Sequence, residues 1–101
     1  MASERYDIVL HSPMGPKKGW MAIFQEPDSC NADIFLMNHL NHFSAVLTNL
    51  GGYLLEGDLW TLAGDVACRI YMRISDGVLS AIADTAKGVM SMEGRLTAEH
   101  P

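Results

Sequence analysis

The chain has little charge, few aromatic residues and no long apolar run. Of its 101 residues, 19% are charged and 8% aromatic, whereas 49% are hydrophobic. A composition this apolar is typical of a folded domain and excludes a disordered chain. Apolar runs such as residues 34–37 are far shorter than the ~20 residues of a membrane-spanning helix. We therefore expect one globular domain over residues 1–101, with no membrane as partner.

Basic residues are also scarce. Seven Lys and Arg against twelve Asp and Glu give a net charge of −5. Nucleic acids and anionic membranes attract basic surfaces, so we expect no nucleic-acid partner. The segment GPKKG at residues 15–19 carries two lysines, but it lacks the G-x-x-x-x-G-K-[ST] pattern of a phosphate-binding loop. No other motif indicates a cofactor, and we expect none.

Cysteine is limited to Cys30 and Cys68. A small secreted domain usually carries more, so we interpret both as free thiols rather than as a disulfide. The N-terminal residues do not show a basic segment followed by a long apolar stretch, and we therefore expect no signal peptide. These features predict a cytoplasmic protein.

Glycines recur at short intervals along most of the chain and flank short runs of alternating polarity, which is typical of an all-β protein. The clearest run is residues 65–75, where apolar residues occupy every second position. They are Val66, Cys68, Ile70, Met72 and Ile74. This alternation predicts a strand with one buried face. Asp76-Gly77 then predicts a tight hairpin turn, and Gly57 predicts a bulge in an earlier strand.

Residues 31–50 are ambiguous. Five of their apolar residues are spaced three and four apart, as on one face of a helix. They are Leu36, Leu40, Phe43, Leu47 and Leu50. The alternative is two strands, 31–37 and 42–48, joined by a turn rich in Asn and His, which are mediocre helix formers. Periodicity slightly favours the helix, and these residues alone leave the choice open.

A set of turn and strand motifs spans nearly the whole chain. Residues 6–23 hold two alternating strands around a Pro-x-Gly-Pro-x-x-Gly turn at 13–19. An Asn-x-Phe-Ser segment at 41–44 and a Gly-x-Leu-x-Thr-Leu segment at 57–62 follow. In these motifs the chain resembles a family of small, mostly uncharacterised bacterial β domains, which is similar to lipocalin-like meanders in strand count. The resemblance implies that residues 31–48 form two strands, and it implies no catalytic or binding residues.

We therefore predict an all-β fold: an antiparallel up-and-down meander of about eight strands that forms a small lipocalin-like, or calycin-like, barrel. Residues 97–101 are expected to fray. When the sequence is aligned with itself at a shift of 49 residues, Gly15 falls on Gly64. Identity between the two halves in this alignment is near chance, so we predict two similar four-strand halves and not a sequence repeat. The predicted strands are 5–12, 18–26, 31–37, 42–48, 53–62, 65–75, 78–84 and 88–96.

His39 and His42 are the clearest candidates for metal chemistry. On a helix their spacing would place both rings on one face, as a metal pair requires. In a connection between strands the geometry is unspecified, and only Cys30 or Asp33 could add a ligand nearby. We interpret both as solvated loop histidines and expect no metal. Because no catalytic constellation is recognisable, an enzyme is the least favoured function.

Methionine is abundant, and it suits adaptable apolar pockets as well as cores. The candidates for lining a ligand pocket are Met21, Ile70, Met72, Met90 and Met92. Trp20, Phe24 and Trp60 occupy strands with apolar residues on both faces, which indicates an exposed aromatic patch and a homodimer interface. The predicted function is non-enzymatic binding of a small apolar ligand. The alternative is a structural module that self-associates through this patch.

Overall fold

A computed structural model describes residues 2–48 and 52–100, and these residues form one closed antiparallel β-barrel. Each strand pairs with the next, and the last strand closes the barrel against the first. None of the described residues is helical, so this part of the chain contains no apolar helix long enough to span a membrane. The predicted all-β fold, an antiparallel up-and-down meander that closes into a barrel, is therefore confirmed. The eight strands of the described residues are β1 (Ala2–Ser12), β2 (Gly15–Glu26), β3 (Ser29–Leu36), β4 (His39–Leu47), β5 (Tyr53–Thr61), β6 (Gly64–Ser75), β7 (Val78–Thr85) and β8 (Gly88–His100).

The ambiguous segment forms the two strands β3 and β4. A tight turn joins them, with φ of 52° at Met37 and 61° at Asn38, the pair of positive values that a type I′ hairpin turn requires. Alternate side chains of β4 are buried, so Phe43 points into the barrel while Leu40 is exposed on the outside. The prediction of two strands is confirmed and the helical interpretation is wrong. Leu50 lies outside the described residues.

The barrel interior is filled along most of its length. In β6 the predicted alternation is confirmed: of the five apolar residues at alternating positions 66–74, four are buried, and Ile74, near the strand end, packs against the core. The core receives inward-facing side chains from every strand. Its largest fully buried side chains are Tyr6, Ile8, Leu10, Met21, Ile23, Ile34, Leu36, Phe43, Leu55, Ile70, Met72 and Leu79.

Three hairpins share one turn design at the same end of the barrel. Each has Ser or Thr at the end of a strand, two further residues, and a glycine that begins the next strand. The Ser or Thr hydroxyl donates a hydrogen bond to the glycine carbonyl oxygen, at 2.7, 2.7 and 2.8 Å. The glycines have φ of 106°, 106° and 130°, which a residue with a Cβ adopts only with strain. The pairs are Ser12 and Gly15, Thr61 and Gly64, and Thr85 and Gly88.

The barrel is built from two similar halves. The shift of 49 residues that carries Gly15 onto Gly64 also carries the bounds of β2 onto those of β6 and the bounds of β3 onto those of β7, without offset. The same shift carries the first residue of β4 onto the first residue of β8. The predicted pair of four-strand halves is therefore confirmed in the strand bounds.

The C-terminal strand is longer than predicted. β8 continues to His100, and its last residues pair with Ser3–Arg5 of β1. The prediction that the chain frays from residue 97 is therefore wrong for residues 97–100, because β1 also begins earlier than predicted and offers a partner. A register shift between Arg5 and Tyr6 leaves Thr97 as an extra residue, and its hydroxyl donates to the Arg5 carbonyl oxygen at 3.0 Å. Pro101 lies outside the described residues.

Gly57 marks a close approach of two strands. It pairs with Cys68, and its neighbours continue the same register with β6 without interruption, so the prediction of a bulge is wrong. A Cβ at this position would lie 2.8 Å from the carbonyl oxygen of His42 and 2.9 Å from the ring of Phe43. Glycine is therefore required by the contact with β4.

Candidate ligand-binding site

One end of the barrel opens into a cavity of about 300 Å³. The β1–β2, β5–β6 and β7–β8 turns surround it, and Met37 of the β3–β4 turn completes its edge. Deeper in the cavity, Leu10 and Leu59 form part of the wall and belong to the buried core. Because the described lining is mostly apolar, the cavity favours an apolar occupant.

The cavity edge is itself apolar. Met14 and Leu62, at the tips of two turns, are largely exposed, as is Val89 at the beginning of β8. All three line the cavity. The shared turn design places Met14 and Leu62 at the same end of the barrel, because each lies between the hydroxyl residue and the glycine of its turn. The edge therefore presents apolar surface to a ligand that enters from the solvent.

Next to the cavity, the side chain of Asn41 replaces part of the backbone hydrogen-bond ladder between β4 and β5. The described pairing of these strands ends at Phe43 and Gly57. Beyond it, the Oδ1 atom of Asn41, which is only 5% exposed, accepts a hydrogen bond from the Trp60 backbone N–H at 2.9 Å. The Nδ2 atom of Asn41 donates to the Ile34 carbonyl oxygen at 3.1 Å. Sequence reasoning treated Asn41 as a turn residue and missed this buried bridge.

His39 and His42 interact with different groups of the protein. The His39 ring stacks on Trp60, with 3.6 Å between ring centroids, and its Nδ1 donates to the Met37 carbonyl oxygen at 2.9 Å. On the outside of the barrel, His42 Nδ1 donates to Asp33 Oδ1 at 2.7 Å. Within residues 2–48 and 52–100, the structure places no group of three or more His, Cys, Asp or Glu side chains suited to a metal ion.

Of the five side chains predicted to line a ligand pocket, Met90 lines the cavity. The other four, Met21, Ile70, Met72 and Met92, are almost fully buried in the core. They lie in the filled part of the barrel, so the prediction that they line a ligand site does not match their positions. Two lysines also line the cavity. They are Lys17, from the GPKKG segment that lacks the phosphate-loop pattern, and Lys87, for which the sequence predicted no role.

The three aromatic residues of the predicted interface are half-buried. The Trp20 ring stacks on Phe35 with 5.6 Å between centroids, and the Arg5 guanidinium lies 4.3 Å from the Trp20 ring centroid. Trp60 is covered by His39 in the same way. The prediction that Trp20, Phe24 and Trp60 form an open patch is therefore wrong in its premise, because neighbouring strands already cover much of two of these rings.

The thiols are in environments that suppress their reactivity. Burial, with a smaller contribution from Asp84, raises the pKa of Cys68 to about 11. Burial also raises the pKa of the half-buried Cys30. Both cysteines are free, as predicted. Because the thiolate is the nucleophilic form, neither side chain is prepared for nucleophilic catalysis.

A scan against protein-family models, a search of curated proteins and a search of solved structures each find no match. The resemblance to small bacterial β domains thus stays a prediction, and the function is inferred from the cavity.

Proposed function

We propose that this protein is a non-enzymatic module that binds one small apolar ligand in the cavity at the end of the barrel. The observation that carries the proposal is the cavity itself, whose volume of about 300 Å³ lies at the lower end of the range for small-molecule sites. An eight-stranded barrel is either filled by its own side chains or holds one small ligand. Here the middle of the barrel is filled, and the ligand enters between the turns.

The hydroxyl groups at the cavity support binding without catalysis. Ser12, Thr61 and Thr85 line the cavity, but each hydroxyl donates its proton to a glycine carbonyl oxygen within its own turn. Among the described residues, no His, Cys, Asp or Glu lines the cavity and could activate these hydroxyls as a base. The two free thiols agree with a cytoplasmic site of action, which is part of the proposal.

A neutral fluorescent probe tests the proposal. 1-Naphthol, a neutral fluorescent compound of eleven non-hydrogen atoms, should bind the protein saturably, with one site per chain. Val89→Trp should weaken this binding at least about fivefold, because the larger side chain fills the edge of the cavity. Val78→Trp is the matched control, because Val78 also follows the glycine of a hairpin turn but lies at the opposite end of the barrel. Absence of saturable binding, or equal affinities for all three proteins, would contradict the proposal.

A second candidate function is self-association, and a specific surface favours it. Val46, Leu54, Tyr71 and Ile82 are successive cross-strand neighbours on the outside of β4 to β7. Val46, Tyr71 and Ile82 are 60%, 48% and 51% exposed. We name these four residues the outer apolar row. A continuous exposed apolar surface of this kind marks an interaction site more often than scattered apolar residues do.

The proposed occupant of the outer apolar row is a second copy of this chain. A two-fold axis along the strands, between β5 and β6, places Leu54 of one copy opposite Tyr71 of the other. The same rotation places Glu56 opposite Arg69, and within one chain these two side chains already form an ion pair at 3.3 Å. The row and its flanking charges are therefore complementary to themselves, as a two-fold dimer requires.

Sedimentation at micromolar concentration tests this second candidate. The protein should sediment as a dimer, and Tyr71→Arg should sediment as a monomer because it places a charge in the centre of the interface. Trp20→Ala, outside the outer apolar row, should remain dimeric. A wild-type protein of 11.1 kDa in solution, or a dimer that survives Tyr71→Arg, would exclude this interface.

A further inference from the structure

We infer that the ligand of the end cavity is an amphiphile with a short alkyl tail and one anionic head group, of the class of medium-chain carboxylates. The inference rests on the proposed binding function and adds the chemistry of the ligand. It is carried by the distribution of positive charge around an apolar cavity in an otherwise acidic chain.

All three lysines of the chain lie at the cavity end of the barrel. Lys17 and Lys18 belong to the beginning of β2, and Lys87 lies in the β7–β8 turn. Lys17 and Lys87 line the cavity, whereas Lys18 is exposed and does not. In a chain with a net charge of −5, two cations at an apolar cavity indicate a negatively charged ligand group.

The described lining contains no acidic residue that could neutralise these lysines. Asp65 and Asp84 lie near this end, but both are exposed on the outer face of their strands. The ion pairs found among the described residues involve His11, His42 and Arg69 instead. The positive charge at the cavity is therefore available to a ligand.

The wall and the edge of the cavity suit the two different parts of an amphiphile. Lys17 is half-buried, and a lysine in this position packs its methylene stem against apolar neighbours while its ammonium group stays near water. An alkyl tail would contact Leu10 and Leu59 in the wall, and the head group would remain at the edge beside the two ammonium groups. A charge-assisted hydrogen bond from an ammonium group favours a carboxylate over an alcohol there.

The volume sets the length of the tail. A water molecule takes about 30 Å³ of the liquid, and a methylene group about the same, so 300 Å³ holds roughly ten such groups. Octanoate has ten non-hydrogen atoms and matches this volume. Octanoate, 1-octanol and octylammonium therefore form a series in which the tail is constant and only the charge of the head group changes.

Calorimetric titration of these three compounds at low ionic strength tests the inference. Octanoate should bind about five- to tenfold more tightly than 1-octanol, which corresponds to two partly exposed charge interactions, and octylammonium should bind most weakly. The double variant Lys17→Gln/Lys87→Gln should bind octanoate and 1-octanol with equal affinity. Lys18→Gln removes the same charge outside the cavity and should keep the preference for octanoate.

The outcomes separate this inference from the proposed function. Equal binding of octanoate and 1-octanol by the wild-type protein overturns the anionic head group and leaves apolar binding intact. An equally large loss of preference in Lys18→Gln overturns the roles of Lys17 and Lys87. If none of the three compounds binds, both the inference and the proposed function fail.

Discussion

Individual side chains of β6 test the register of the barrel. Ile70 is 1% exposed in the core, whereas Arg73 is exposed on the opposite face of the same strand. Ile70→Ala should lower the free energy of unfolding by about 2–5 kcal/mol, as large-to-small core changes do. Arg73→Ala should change it by about 0.5 kcal/mol or less. Urea denaturation measures both, and similar losses would mean that the register is wrong by one residue.

Asn41 is the buried polar residue on which the cavity end of β4 and β5 depends. Asn41→Leu would leave the Trp60 N–H and the Ile34 carbonyl oxygen without their partner. We expect a loss of about 2 kcal/mol or more in the free energy of unfolding, because an unsatisfied buried polar group costs roughly 1–3 kcal/mol. Asn31→Leu, on the outer face of β3, is the control and should be nearly neutral. Faster hydrogen exchange at the Trp60 amide should accompany the first change, and an unaltered rate would contradict the bridging role.

The raised pKa values of two buried side chains, Cys68 and Tyr6, predict that the protein loses stability in alkaline solution. Burial raises the pKa of Cys68 to about 11 from 9.0, and burial together with Glu4 raises the pKa of Tyr6 to about 12 from 10.0. The folded state therefore holds these protons more tightly than the unfolded state. The contribution of the protonated Cys68 thiol to the free energy of unfolding should be complete below about pH 9 and should be lost as the pH rises through about 11. Urea unfolding at pH 8 and pH 10.5 should show this fall, and Cys68→Ala should reduce it. An equal fall in both proteins would contradict the assignment to Cys68.

At the scale of elements, the last strand offers the clearest test. Residues 98–100 pair with the beginning of β1, and Thr97 forms the bulge between the two registers. Truncation after Leu96 should lower the melting temperature by about 5 °C or more, because Ser3–Arg5 lose their partners on one side. Thr97→Ala removes one hydrogen bond and should have a smaller effect. Identical melting of the truncated and full chains would mean that the tail adds no stability.

Sequence patterns predicted the strands wherever one face is wet and the other dry. The alternation in β6 made that strand unambiguous, because its inward-facing positions are apolar and Asp65, Arg69 and Arg73 occupy exposed positions that alternate with them. β4 was ambiguous because Leu40, on its outer face, and Leu47, exposed at its end, extend a helical spacing that the fold does not use. The end of β8 was missed because residues 97–100 carry little apolar alternation, and their pairing depends on the distant beginning of β1. Local pattern cannot reveal such a partner.

At the scale of the whole molecule, the cavity was harder to predict than the fold. Alternation indicates that Met21 and Met90 both face inward, but not which lies in the filled middle and which near the open end. That position depends on the tilt and stagger of the strands around the barrel. One usable signal was present: the Ser/Thr-x-x-Gly turns at Ser12, Thr61 and Thr85 repeat in the sequence and mark one end.

The location of a bound apolar compound can be read directly from amide NMR shifts of the ¹⁵N-labelled protein during titration with 1-octanol. The expected result is saturable shifts confined to the cavity end, in residues 14, 15, 17, 61–66 and 85–90, with the outer apolar row unaffected. Shifts centred on Val46, Leu54, Tyr71 and Ile82, or no shifts at saturating 1-octanol, would contradict ligand binding in the end cavity.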